Sequence, residues 1–237
     1  MKQTKFIVAF CILLSSVAQL RAQDEANALL GAVYNKMQKA KDYAVKAKIK
    51  VDMPFIRMLP VDVKIYFKQK DKFKVETKKI TVVPREGFDQ LSKVMTDPNS
   101  FTAILQGGEK VEGVQTNIVN VIPLSDTSDL ILAKFWIDPA RNVIIKSQLT
   151  TRTNGTIETE FSYGSQVAYG LPDKMIFQVD VKKFKVPKGF VTRGMDKKEL
   201  EKEEKGKEKK KGKILIVFTG YEVNKGIPDS VFASTQK

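Results

Sequence analysis

Four runs follow one another in mid-chain: Ile131-Leu-Ala-Lys-Phe-Trp-Ile-Asp-Pro139, Asn142-Val-Ile-Ile-Lys-Ser-Gln-Leu149, Thr156-Ile-Glu-Thr-Glu-Phe-Ser-Tyr-Gly164 and Leu171-Pro-Asp-Lys-Met-Ile-Phe-Gln-Val-Asp-Val181. Each alternates apolar and polar residues for several positions and is bounded by Pro, Gly, Asn or Asp. Successive side chains of a strand point to opposite faces, so this alternation gives each strand a dry face and a wet one. The connections Pro139-Ala-Arg-Asn142 and Arg152-Thr-Asn-Gly155 are short and made of turn residues, which forces antiparallel neighbours. The stretch 131–186 is therefore read as a β-meander with one apolar face. The rest of the chain is expected to extend that sheet and cover it.

Upstream, Met1-Lys-Gln-Thr-Lys5 followed by the apolar run 6–17 and Ser-Val-Ala-Gln-Leu-Arg-Ala22 has the layout of a secretory signal peptide, with cleavage after Ala22 or, alternatively, Ala18. Loss of residues 1–22 takes away Lys2, Lys5 and Arg21 and lowers the formal charge from +14 to +11; it also removes Cys11, the only cysteine. The remainder, 23–237, is expected to be a single domain, exported to the periplasm and monomeric. Residues 24–41 have helical spacing at Ala26, Leu29, Leu30, Val33 and Met37. From Tyr43 to Met53 the period becomes two, with Lys46, Lys48 and Lys50 on the wet face. The connection Met53-Pro-Phe-Ile-Arg-Met-Leu-Pro60 is apolar; its Phe55, Ile56, Met58 and Leu59 either fold back on the core or touch a membrane or partner. Strands are expected at 61–67 and 73–77, a helix at 84–95, and a hairpin from Phe101 to Pro123 that turns at Gln106-Gly-Gly-Glu109 and ends on a proline as an edge strand would. Residues 196–213 carry nine lysines, six acids and a single leucine, the composition of a flexible insertion. A strand resumes at Ile214. The tally is about ten strands and two covering helices: a mainly β, α+β domain.

The chemistry is bounded by what is missing. The chain has no histidine, and with Cys11 gone no cysteine, so disulfides, thiolate or imidazole metal sites and His-based triads are excluded. Glu158, Glu160 and Asp180 alternate outward as a solvated face, and Gln106-Gly-Gly with Lys110 lacks phosphate-loop spacing. No catalytic residue, metal or cofactor is expected, and no nucleic-acid binding, since the lysines are spread over several strands with few aromatics between them. What remains is the apolar side of the sheet. Ile49, Val51, Val63, Ile65, Phe67, Phe73, Val75, Phe161 and Phe177 are the candidates to line a ligand cavity, because a barrel of ten strands encloses more room than small side chains fill. The alternative is a plain packed core.

The order of elements resembles the LolA-like lipoprotein carriers of the bacterial periplasm and their outer-membrane lipoprotein-sorting relatives. The likeness rests on Phe135-Trp-Ile-Asp138 with Val143-Ile-Ile-Lys146, on Phe161-Ser-Tyr163 with Leu171-Pro-Asp-Lys-Met-Ile-Phe177, and on Tyr221-Glu-Val-Asn224 with Ile227-Pro-Asp-Ser-Val-Phe232. It implies a half-open antiparallel β-barrel with helices as a lid over an apolar cavity. It also implies a carrier of lipid or lipoprotein acyl chains toward the outer membrane, or alternatively a sensor module on the same fold that binds a protein partner. The carriers have a basic residue and a proline in the turn after the second long strand. Here that turn is Phe67-Lys-Gln-Lys-Asp-Lys-Phe73, with Lys70 at the basic position and Asp71 in place of the proline.

Overall fold

The structure, a computed structural model, describes residues 23–53, 56, 57, 59–70, 72–77, 98–153, 155–180 and 211–233. Residues 23–37 form a helix, α1. The strands are β1 (Asp42–Met53), β2 (Ile56–Arg57), β3 (Val61–Lys68), β4 (Lys72–Glu76), β5 (Phe101–Val111), β6 (Val114–Pro123), β7 (Leu130–Asp138), β8 (Val143–Thr151), β9 (Gly155–Ser162), β10 (Lys174–Asp180) and β11 (Lys211–Val223). They form one sheet in the order β4-β3-β1-β11-β10-β9-β8-β7-β6-β5, with the short β2 paired to β1. Every described pairing is antiparallel. Ten strands lie on that path, and it ends in two edges, β4 and β5, so the sheet curls without closing. The expected α+β half-open sheet is what the chain forms.

The apolar side chains of one face gather in two clusters. The first joins β1, β3, β10 and β11 with Ile157 of β9. The second joins β5 to β8 with Ala26, Leu30 and Val33 of α1. These helix residues recur at helical spacing and are almost fully buried, so α1 lies on the β5–β8 half. Phe161 touches both clusters.

Four expectations are corrected. The helix ends at residue 37, not 41, because its last turn tightens to Lys39 N–H donating to the Lys36 carbonyl and Ala40 N–H to that of Met37. The β5–β6 turn lies at Glu112-Gly113, both at positive φ (47° and 85°), and not at 106–109. Gln106-Gly-Gly sits in a bulge that shifts the register between Leu105 and Gly107. In addition, β6 is an interior strand. Pro123 is accommodated because β7 pairs with β6 over Asn117–Val121 and does not reach it. The lysine-rich run yields to strand earlier than expected, at Lys211. The helix expected at 84–95 and the rest of the insertion lie outside the described residues. No described helix is long and apolar enough to cross a membrane.

Candidate functional site

Strand register places the nine candidate lining residues in rows. From the start of β1 onward, Phe73, Phe67 and Tyr43 share a row, then Val75, Ile65 and Val45, then Val63, Ala47 and Phe218. Val61, Ile49, Ile216, Met175 and Phe161 follow, and Val51, Ile214 and Phe177 complete the face. All nine therefore lie on one face of the β4–β3–β1–β11–β10–β9 half. Ile49 and Phe177 are 0% and 1% exposed; Val51, Val63 and Ile65 are buried; Phe67, Phe73, Val75 and Phe161 are half-buried. Among the described residues the cluster is made of strand side chains, Tyr221 of β11 among them. Alternation in β1, β3 and β4 was enough to find its first half. Met175, Ile214, Ile216 and Phe218 were missed as site residues, although the same period-2 signal runs through β10 and β11.

One end of this face is aromatic. The Tyr43 and Phe67 rings stack with centroids 5.0 Å apart, and Tyr221 lies 5.9 Å from both Tyr43 and Phe218. Tyr221 donates its hydroxyl to the Pro172 carbonyl at 2.8 Å, and Tyr163 donates to that of Ile144 at 2.9 Å. Burial pushes the ionisation of Tyr43, Tyr163 and Tyr221 well above the ordinary phenol range, so all three stay neutral.

The same end is fastened from outside. Asp42, buried at the head of β1, accepts the N–H groups of Lys225 and Gly226 at 3.0 and 3.1 Å. Asn224 accepts from Lys41 N–H at 2.7 Å and donates to the Lys39 carbonyl at 2.9 Å, capping the exit of α1. In the β3–β4 turn, Lys70 takes a positive φ of 70° and is exposed, and Gln69 donates to the Gln38 carbonyl at 2.9 Å. Lys68 and Lys72 both reach Asp229, at 2.6 Å each. Asp71 lies outside the described residues.

The opposite end of β1 leads into the apolar connection. Ile56 pairs with Met53, and Leu59 is 78% exposed. Phe55 and Met58 lie outside the described residues. Trp136, one of the residues carrying the resemblance, points to the other face of the sheet from Phe135. There its indole N–H donates to Glu109 at 2.7 Å, and the Lys134 and Lys146 ammonium groups lie 4.7 and 5.0 Å from its ring centre. Among the described residues no three His, Cys, Asp or Glu side chains gather where they could hold a metal. The face is an apolar surface of packed side chains.

No protein-family model matches the chain, and no curated protein matches it in sequence. Solved structures do match its fold. An outer membrane lipoprotein-sorting protein domain of Vibrio parahaemolyticus superposes with a TM-score of 0.59 at 9% identity, over 89% of this chain and 97% of that one. A DUF1329 family protein of Desulfovibrio piger gives 0.58 at 10% identity over the same shares. A LolA superfamily protein of Nitrosomonas europaea gives 0.55 at 8%, over 88% and 97%. The fold is LolA-like.

Proposed function

We propose that the protein binds acyl chains on the apolar face of the β4–β3–β1–β11–β10–β9 half, and that it carries lipid or lipoprotein through the periplasm toward the outer membrane. A single observation carries this reading: five register rows of apolar side chains, most of them large, share one face of the sheet. Apolar burial is worth about 25 cal/mol per Å², so such a face can hold lipid tails without chemistry. Release requires a competitor whose affinity for the cargo differs between the loaded and unloaded states. In this reading Leu59, with Phe55, Ile56 and Met58, is the point that meets a membrane or partner. The signal-like segment 1–22 supplies export, and the exported protein works as a monomer without cofactor or enzymatic activity.

The test is mass spectrometry of lipid extracted from natively purified protein, with displacement of a fluorescent fatty acid as a second readout. Bound phospholipid or acylated peptide is expected. The half-buried Phe67→Asp, confirmed as folded by circular dichroism, is expected to lose it. Lipid-free protein that takes up no fatty acid would sink the carrier reading, and a partner recovered from envelope extract would then support the interaction-module alternative.

A further inference from the structure

Behind the apolar cluster, on the opposite face of the same strands, the register assembles a lattice of lysines. Lys46, Lys48 and Lys50 alternate with the buried Ala47 and Ile49 along β1 and are exposed. Lys64 of β3 stands directly opposite Lys46. Lys213 of β11 stands opposite Asp52, and Lys174 of β10 opposite Val217 of β11. Within this lattice the acids include Asp52 and Asp62, the latter 3.8 Å from Lys48; Glu76, paired to Lys64 in register, Glu222, Glu160, opposite Ile176, and Asp180, in register with Lys211, border it. Between the lysines lie Val217, 36% exposed, and the half-buried Leu215 and Ile176.

Two features of this surface work against the isolated protein. Like charges directly opposite one another in an antiparallel pair are destabilising, and Lys46 faces Lys64. Apolar side chains are left among the charges. Both costs fall when the surface meets a plane of negative charge with an apolar layer behind it. Strands lie about 4.8 Å apart and rise about 3.4 Å per residue, so the six lysines, on four strands and from the level of Lys46 to that of Asp52, cover roughly 15 Å by 20 Å, a two-dimensional array and not a stripe. Among the described residues one aromatic, Tyr66 of β3, lies on this face, with the Lys64 ammonium 4.9 Å from its ring centre, and a single ring is short of the series of stacking platforms that single-stranded nucleic acid would need.

We propose that this outer face of β10, β11, β1 and β3 docks the protein on an anionic phospholipid surface. It does so independently of acyl-chain binding, which uses the opposite face, so either reading can fail without the other. Docking sets the sheet against the headgroups and leaves the inner face turned away from them.

The experiment is co-sedimentation of the protein, as processed in an exporting host, with phosphatidylglycerol-rich or pure phosphatidylcholine vesicles. Binding to the anionic vesicles only, weakening with added salt, is expected. Each surface lysine near an anionic bilayer contributes about fivefold in partitioning, so Lys46→Gln/Lys50→Gln/Lys64→Gln should weaken binding on the order of a hundredfold. Circular dichroism melting checks that the variant folds; removal of the Lys46–Lys64 opposition should leave its Tm unchanged or raised. Lys110→Gln, exposed on β5, and deletion of 196–210 should both retain most of the binding. The proposal is overturned if the triple variant binds as well as the parent, if both vesicle types bind equally, if deletion of 196–210 alone abolishes binding, or if duplex DNA binds and anionic vesicles do not.

Discussion

At the scale of single residues, Asp42 does more than its neighbours in sequence suggest. It opens β1, is 7% exposed, and spends its carboxylate on two backbone N–H groups that lie over 180 positions later. Its own carbonyl accepts a third, from Asn224 at 2.8 Å. A carboxylate hydrogen-bonded in this way stabilises more than a neutral acceptor, and removing it takes the charged partner from two part-buried backbone N–H groups. Asp42→Ala should therefore lower the unfolding free energy by about 2 kcal/mol in urea titration, with Asp42→Asn recovering part of the loss. A loss below about half a kcal/mol would show that water replaces the carboxylate. Asp138 uses the same device within one turn. Burial raises its pKa, but the Arg141 guanidinium and the backbone N–H groups of Arg141 and Ala140 outweigh that and hold the carboxyl below its ordinary value.

At the scale of elements, the β3–β4 turn and the closing segment 227–232 are joined by Asp229. Hydrogen bonds from Lys68 and then Lys72 hold its carboxyl down to about 2. A carboxylate with a depressed folded pKa contributes stability above its unfolded value and loses it as pH falls through the folded one. The link should thus be intact at neutral pH and come apart only between about pH 4 and pH 2. A carboxyl carbon titration by NMR should place Asp229 near 2 and move it back toward the ordinary aspartate value in Lys68→Met/Lys72→Met. An ordinary midpoint in the parent protein would mean that the two lysines do not sit on it in solution. None of this link was legible in the sequence, because Asp229 and Lys68 are related only through the pairing of β11 with β1. Alternation did locate β3, β4 and β7 to β10 to within a few residues, since half-buried strands carry that signal locally. It misplaced the β5–β6 turn because Gly107-Gly108 looks like a turn when read alone. Gly113, next to Glu112, supplies the positive φ that the two-residue turn needs. The end of α1 was misjudged for a related reason: its cap, Asn224, comes from the far end of the chain.

At the scale of the whole molecule, the sequence made a large one-faced sheet legible, together with the candidate residues on β1, β3 and β4 and Phe161 and Phe177 on β9 and β10. The neighbours within that sheet are a different matter. Local periodicity says nothing about which strand lies beside which, and here the decisive pairing, β1 with β11, spans Tyr43↔Val223. The late partner β11 is separated in sequence from β10 by the lysine-rich run, which hides the continuity. Only the resemblance to LolA-like proteins supplied the overall arrangement, and the solved structures agree with it.

That pairing makes the sheet order cyclic. From β5 to β11 each strand lies beside the next in sequence, then β1, β3 and β4 continue the same walk, and the chain steps out of line once, between β4 and β5. The covalent ends thus fall inside the sheet's path, while its spatial ends fall inside the chain. A circular permutant that begins with β5, runs through β11, crosses a linker to α1 and finishes with β4 would keep every strand neighbour and lose the one long step. The linker must run the length of α1, about 22 Å at 1.5 Å per residue. Such a permutant should fold to the same circular dichroism spectrum and refold faster than the parent, because the β1–β11 contact has become local. A permutant that does not fold would mean that the β4-to-β5 step is itself part of what holds the two halves together.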